Sequence, residues 1–163
     1  MPLVRDGCEV ADGFTDATGA TDLPAGPVIV SLDQWLTRRD ELLGRCTALG
    51  LRLRSDQSPT LVADDLGHFA VIALEFPKFR DGRAYTHARI LKERLAYPGE
   101  IRAVGDVLQE QLPLMHRCGF TAFETTASAW AATAGDHTVW YQATGDGRPR
   151  AADLRHRDKA PDT

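Results

Sequence analysis

One uninterrupted apolar run constrains the fold of this chain more than any other segment. Residues Phe69–Phe76 read Phe-Ala-Val-Ile-Ala-Leu-Glu-Phe, and Glu75 is the one charged residue among them. A strand that lacks polar alternation is covered on both faces, as is typical of parallel sheets with helices packed against them. The run therefore predicts a central strand of an α/β protein.

Shorter strand-like and helical segments alternate on both sides of this run. Apolar or alternating residues predict further strands at 28–30, 51–54, 101–104 and 121–124. Apolar residues at helical spacing predict helices after residue 31, over 84–97, after residue 106 and over 127–134. This order favours parallel β/α units. We therefore expect an α/β fold with a small open, mostly parallel sheet of about four to five strands, either half-barrel-like or a Rossmann-like three-layer structure.

Individual residues predict where these helices begin, bend and end. Ser31 and Gln34 have the spacing of a capping box. Asp106 is interpreted as the cap of the later helix, and Gly119 has the position of a glycine that ends one. Pro113 interrupts that helix, and because the apolar periodicity continues through it, we predict a kink rather than two pieces.

The chain is predicted to form one domain with loose ends. Residues 1–26 are rich in Gly, Asp, Thr and Ala, which predicts a weakly ordered segment with one short strand near Glu9 and Val10. Residues 144–163 are charged and carry almost no large apolar groups, which predicts a flexible tail. The α/β domain is therefore assigned to residues 27–143.

Charge and cysteine spacing argue against several classes of protein. The net charge of −4 provides no basic field for nucleic acid. No apolar run approaches the roughly 20 residues of a membrane helix, and residues 1–26 lack a signal-peptide core, so we expect a cytoplasmic protein. Cys8, Cys46 and Cys118 are far apart, the histidines lack ligand spacing and no dinucleotide fingerprint occurs. No metal site and no resident cofactor is predicted.

The charged segment after the apolar run, together with the next strand, is the first candidate site. Parallel strands end at one edge of a sheet, where ligands gather. The residues expected to bind an anion or a partner protein near that edge are Lys78, Arg80, Arg83, Arg102 and Asp106. Lysine and arginine supply the point charges and bidentate guanidiniums that suit anions. Glu75 and Asp81 are the candidates for proton transfer.

A structural interpretation of the same residues stands beside the functional one. Asp81 and Gly82 have the composition of a turn, with Arg83 paired to Asp81 or to Asp106. Glu75, inside an apolar strand, requires a partner, and Arg102 on the neighbouring strand would provide an ion pair. In that case these residues stabilise the fold without binding a ligand.

Three motifs resemble a known bacterial family. They are Glu75-Phe-Pro-Lys-Phe-x-Asp-Gly-Arg83, Gly99-Glu-x-Arg-Ala-Val-Gly-Asp-Val-Leu108 and Arg117-Cys-Gly-Phe-x-Ala-Phe-Glu124. The family is of unknown function, its members are commonly labelled "oxidoreductase probably involved in sulfite reduction", and the similarity covers roughly residues 27–143. The chain departs from the family pattern at Tyr85-Thr-His-Ala88 and at Leu112-Pro-Leu114. The resemblance implies a place in assimilatory sulfite reduction rather than a particular activity.

Three functions are compatible with these observations. The first is an accessory protein that docks on sulfite reductase or another sulfur-assimilation protein and carries no redox cofactor of its own. The second is a small enzyme for an anionic sulfur or phosphate metabolite, in which Lys78 and Arg83 bind the anion while Glu75 or Asp81 moves a proton. The third is a homodimerisation module with the loop at 76–79 in a symmetric interface.

Overall fold

One sheet of eight strands organises the part of the chain that this computed structural model describes, which is residues 2–78 and 80–126. The strands are β1 (Leu3–Arg5), β2 (Cys8–Val10), β3 (Thr15–Asp16), β4 (Val28–Ser31), β5 (Leu49–Leu53), β6 (Phe69–Phe76), β7 (Glu100–Gly105) and β8 (Ala122–Glu124). The α-helices are α1 (Leu32–Thr37), α2 (Arg39–Leu43), α3 (Arg83–Arg89) and α4 (Leu112–Cys118). Shorter helical segments are the 3-10 helices Pro59–His68 and Gln109–Gln111 and a π-helical turn at Ile90–Arg94.

The strand order confirms the α/β class and corrects the size of the sheet. The order is β2-β1-β8-β7-β6-β5-β4-β3, so strands β3 to β8 follow the chain from one edge inward. These six strands are parallel, as in half of a β/α barrel. Strands β1 and β2 add an antiparallel hairpin beside β8. The sheet therefore has eight strands and is mixed, whereas about four to five mostly parallel strands were predicted.

The connection between the two edge strands requires the sheet to curl. Strand β2 lies at one edge and β3 at the other, yet only residues 11–14 join them. Eight strands at a spacing of about 4.8 Å would place the edges of a flat sheet about 34 Å apart. The five steps from Val10 to Thr15 span at most about 18 Å. The sheet must therefore bend into an open half-barrel, and we call residues 11–14 the strap.

Side-chain alternation gives the curled sheet two different faces. The helices cover one face, where a large core includes Ile72, Leu74 and Phe76 of β6. The opposite face, which the strap crosses, is the concave face of the half-barrel. It carries a small apolar cluster of Ile29, Val71, Ala73 and Val104, against which Phe14 of the strap packs. The remaining concave-face side chains on the central strands are largely charged.

Local sequence signals explain where α1 and β6 begin. Ser31 and Gln34 form the predicted capping box of α1, with hydrogen bonds of 3.2 and 2.8 Å. The central position of β6 is also confirmed. The single helix expected after residue 31 is instead two short helices, because the backbone of Arg38, with a φ of −122°, is not helical between them.

The segment before β8 corrects two predictions. Pro113 lies in the first turn of α4, where its missing N–H would have no helical partner, and a separate 3-10 turn precedes it. The helix is therefore split rather than kinked. Leu108, and not Asp106, occupies the N-cap position of that 3-10 turn. Gly119 ends α4 with a φ of 112°, as its position predicted.

Several predictions fall outside the described residues. These are the helix at 127–134, the tail at 144–163 and, in the loop at 76–79 that was expected in a symmetric interface, residue Phe79. Among residues 2–78 and 80–126, no helix is both long enough and apolar enough to span a membrane. In the same residues, three strands lie within the first 26 positions, whereas one short strand near Glu9 and Val10 was predicted.

Candidate functional site

The bends that follow β6 and β7 lie side by side at the carboxyl edge of the sheet. The backbone N–H of Asp106 donates to the Phe76 carbonyl oxygen at 2.8 Å. Gly105 has a φ of 92°, and a β-carbon there would lie 2.6 Å from the same oxygen. Only glycine fits this approach without displacing the backbone. Two of the sequence motifs therefore meet at one end of the molecule.

Arg83 is already paired with Asp81. Its Nε and one terminal nitrogen donate to the two Asp81 carboxylate oxygens at 3.0 and 2.7 Å, and the same terminal nitrogen donates to Ser55 Oγ at 2.9 Å. The hydrogen bonds from Arg83, and then from Ser55, hold the pKa of Asp81 well below its usual range. The geometry thus matches the structural interpretation, and a carboxylate held ionised is a poor proton carrier.

Lys78 and Arg80 flank a turn in which the Asp81 N–H donates to the Lys78 carbonyl at 2.9 Å. Both side chains are exposed, and neither forms an ion pair with the described residues. They do not line the cavity that contains Glu75. Phe76, at the start of the same loop, is fully buried against Tyr85 and Phe120. It is therefore part of the core and not available for a symmetric interface.

Glu75 lies on the concave face, and its partner differs from the predicted one. One carboxylate oxygen of Glu75 lies 3.4 Å from a terminal nitrogen of Arg52 on β5, whereas Arg102 was expected. Arg52 also pairs with Asp16 of β3 at 2.8 Å. Burial opposes ionisation of Asp16, but hydrogen bonds from Thr18 and the charge of Arg52 prevail and lower its pKa. Arg52 is thus held between two carboxylates.

A cavity of about 290 Å³ opens beside this ion pair. The residues that line it are Thr18, Ser31, Asp33, Arg52, Arg54, Gln57 and Glu75. They come from the carboxyl ends of β3 to β6 or from the loops that follow. In open parallel sheets and β/α barrels this end binds ligands. The cavity is therefore the candidate functional site.

Arg102 occupies the centre of the concave face, in the layer of side chains that contains Arg52. It is fully buried, and it donates to Glu100 at 2.8 Å and to Asp12 of the strap at 2.7 Å. The ring of Phe14 lies 5.9 Å from its guanidinium carbon. One terminal nitrogen has no hydrogen-bond partner among residues 2–78 and 80–126. These contacts make Arg102 the residue that fastens the strap to β7.

Glu124, at the end of β8, is a concave-face carboxylate that was not among the predicted site residues. Strand register places Glu75, Val104 and Glu124 in one row across β6, β7 and β8. Burial raises the pKa of Glu124, and the positive charges of Arg102 and Arg52 offset only part of this effect. The concave face thus combines guanidiniums with a carboxyl group that holds its proton unusually well.

The two arginines of the cavity, Arg52 and Arg54, were also not among the predicted site residues. Residues 49–54 read Leu-Gly-Leu-Arg-Leu-Arg, and the alternation places Arg52 on the face opposite Leu51 and Leu53. An arginine at the carboxyl end of a parallel strand was therefore visible in the sequence.

Comparison with known protein families gives a match over the second half of the described sheet and beyond it. The model of a family described as "Bacterial protein of unknown function (DUF934)" matches residues 50–151, which is more than half of the chain. No curated protein matches the chain. No solved structure matches it either.

Proposed function

The chain belongs to the DUF934 family of bacterial proteins of unknown function, and for it we propose the role of an accessory protein of sulfite reduction that binds a small anionic compound. The observation that carries the binding function is the cavity lined by Arg52 and Arg54 at the carboxyl ends of the parallel strands. The place in sulfite reduction is supported by the family resemblance of the motifs at 75–83, 99–108 and 117–124.

The two cavity arginines have complementary parts in this proposal. Arg52 is fixed between Asp16 and Glu75, so it presents its guanidinium in a defined position. Arg54 pairs with Asp56, but their side chains are 60% and 58% exposed, and such surface pairs contribute little. Arg54 can therefore exchange its partner for an oxyanion at little cost. The volume of about 290 Å³ suits a small metabolite.

In the accessory role, a partner protein carries out the electron transfer. Sulfite reduction is a multi-electron reaction that depends on redox cofactors. The three cysteines of this chain, Cys8, Cys46 and Cys118, are distant in sequence, and no dinucleotide fingerprint occurs in it. The proposed partner is sulfite reductase or another protein of sulfur assimilation. The protein would deliver to the partner, or keep from it, the anion that serves as the partner's substrate or product.

Glu124 favours a second candidate, a small enzyme that acts on an anionic sulfur or phosphate metabolite. Burial raises the pKa of Glu124, so this carboxyl group keeps its proton to a higher pH than an ordinary glutamate and can act as a proton donor. Arg52 and Arg102 contribute positive charge at its position. In this candidate the arginines bind the anion and Glu124 moves the proton, in place of the predicted Glu75 or Asp81.

The binding function is tested by titrating the protein with sulfite, sulfate and phosphate in a calorimeter. We expect at least one anion to bind, and Arg54→Gln to weaken it by roughly tenfold or more, because a hydrogen bond to a charged group contributes about 1.5–3 kcal/mol. Arg94→Gln is the matched control, since Arg94 is exposed and outside the cavity. If Arg54→Gln and Arg94→Gln bind the anion with equal affinity, the cavity is not the anion-binding site.

The pathway is tested separately by growth. A strain that lacks the gene should grow poorly when sulfate is the sole sulfur source, and cysteine should restore its growth. Complementation with the parent gene should succeed and with the Arg54→Gln gene should fail. Normal growth of the deletion strain on sulfate would refute the sulfur assignment while leaving the binding result intact.

A further inference from the structure

We propose that the ligand of the cavity is a zwitterion, a small molecule that carries an ammonium group beside its anionic group, as amino acids and amino sulfonates do. This inference rests on the proposed function and specifies the class of ligand. It follows from the charges that surround the cavity, which are not those of a simple anion site.

The cavity wall contains as many carboxylates as guanidiniums. Arg52 and Arg54 supply positive charge, Asp33 and Glu75 supply negative charge, and the remaining lining residues are polar and uncharged. A ligand with only an anionic group would meet favourable arginines and two repelling carboxylates. A ligand with both charges satisfies both sets of groups.

The order of the strands separates the two kinds of charge. Arg52 and Arg54 come from β5 and the residue after it, at the centre of the cavity. Asp33 follows β4 on one side, and Glu75, the last residue but one of β6, lies on the other. Adjacent strands lie about 4.8 Å apart. A carboxylate on either side of the arginines therefore gives an ammonium group a partner next to the anion.

The lining side chains differ in how many ion pairs and hydrogen bonds they already form within the protein. Arg52 is committed to Asp16 and Glu75. The Asp33 carboxylate is exposed and forms no ion pair or hydrogen bond with the described residues. Glu75, at 3.4 Å from Arg52, retains capacity for a further donor. Arg54 for the anionic group and Asp33 for the ammonium group are thus the most available pair.

Asp33 also has a structural role that the test must separate from binding. It lies in the first turn of α1, where a negative charge stabilises the helix. Loss of that stabilisation would alter unfolding but would not distinguish one ligand from another. Selectivity between two matched ligands is therefore the informative measurement.

The test compares taurine with isethionate, which has a hydroxyl group where taurine has its ammonium group. Calorimetry on the full chain should show taurine binding at least roughly tenfold more tightly than isethionate. Asp33→Asn should weaken taurine and leave isethionate unchanged or improved. Asp40→Asn, an equal change of charge in α2 and outside the cavity, should affect neither. Glu75→Gln provides a second variant, and urea unfolding verifies that every variant is folded.

The outcomes separate the two proposals. Equal or tighter binding of isethionate by the parent protein overturns the zwitterion while the anion site stands. Preference for taurine that neither Asp33→Asn nor Glu75→Gln reduces overturns the assignment of the ammonium position. If taurine, isethionate and sulfate all fail to bind, or if Arg54→Gln has no effect, the proposed function itself fails.

Discussion

Arg102 illustrates how one charge can organise a surface that has no helix to cover it. Its guanidinium is fully buried and neutralised by Glu100 and Asp12, which come from β7 and the strap. Removing one member of a buried ion pair costs about 3–5 kcal/mol, because the remaining charge has no partner. Glu100 keeps its ion pair with Arg5, and the Asp12 side chain is 34% exposed. We therefore expect Arg102→Met to destabilise the protein by about 2–3 kcal/mol in urea unfolding, at or below the lower end of that range.

A compensating variant distinguishes charge from packing. The triple variant Arg102→Met, Glu100→Gln and Asp12→Asn leaves only Arg5, the other partner of Glu100, without its ion pair. Because the Arg5 side chain is 43% exposed, this variant should recover a large part of the loss. Arg94→Met, on the exposed surface, should change stability by less than about 0.5 kcal/mol. A triple variant that is less stable than Arg102→Met would show that the ion pairs are not the cause.

Glu124 predicts a pH dependence of stability. Because burial raises its folded pKa above the usual 4.5, the folded state binds this proton more tightly than the unfolded chain does. The stability that protonated Glu124 contributes to the folded state is therefore fully present below pH 4.5. It is lost as the pH rises through the raised pKa. Glu124→Gln should remove this loss.

Urea midpoints measured from about pH 4 to about pH 7 test this dependence. The difference between Glu124→Gln and the parent should grow in favour of the variant as the pH rises. Glu110→Gln, at an exposed position, should track the parent. A difference that is constant over the whole range would contradict the raised pKa.

At the scale of single residues, the sequence predicted partners less well than positions. Glu75 was placed correctly at the end of an apolar strand, but its partner is Arg52 on one neighbouring strand rather than Arg102 on the other. β5 and β7 each carry an arginine on the concave face. Which of the two contacts Glu75 depends on the strand register and on the contacts of the strap. Arg102 faces Asp12, which is 90 residues away in sequence, and no local pattern reveals such a contact.

At the scale of elements, Pro113 yields a direct test of how the helix begins. Because Pro113 is in the first turn of α4, Pro113→Ala restores an N–H that has no helical partner. We expect a change of less than about 1 kcal/mol. A proline at His116, inside the same helix, should cost about 3 kcal/mol or more. Chemical denaturation of both variants measures the contrast, and a large loss in Pro113→Ala would support a continuous kinked helix.

Elements with strong local signals were predicted, and of the two strands of the N-terminal hairpin only β2, near Glu9 and Val10, was predicted. β6 and α1 follow from an apolar run and a capping box. β1 and β2 are three residues each and gain stability only by pairing with each other and with β8. Asp6 and Gly7, both with positive φ, do mark a hairpin turn between them. That dipeptide was the available signal for the hairpin.

At the scale of the whole molecule, the first 16 residues close the half-barrel. β1 covers the edge of β8, β3 covers the edge of β4, and the strap joins the two across the concave face. Leu3 and Val4 of β1 are buried, and burial of each such side chain contributes about 1.5–3 kcal/mol. The segment 1–26, predicted to be weakly ordered, thus includes strands that complete the sheet.

Deletion of residues 2–14 is therefore expected to destabilise the sheet, and not merely to shorten the chain. The deletion takes away β1, β2 and the strap, exposes the edge of β8, and leaves Arg102 without Asp12. We expect the deleted protein to lose cooperative urea unfolding or to unfold with a stability lower by more than about 3 kcal/mol. Asp12→Asn, at full length, isolates the ion pair and should cost less than the deletion. A deleted protein that unfolds cooperatively at the urea midpoint of the parent would show that β3 to β8 hold the curled sheet without the strap.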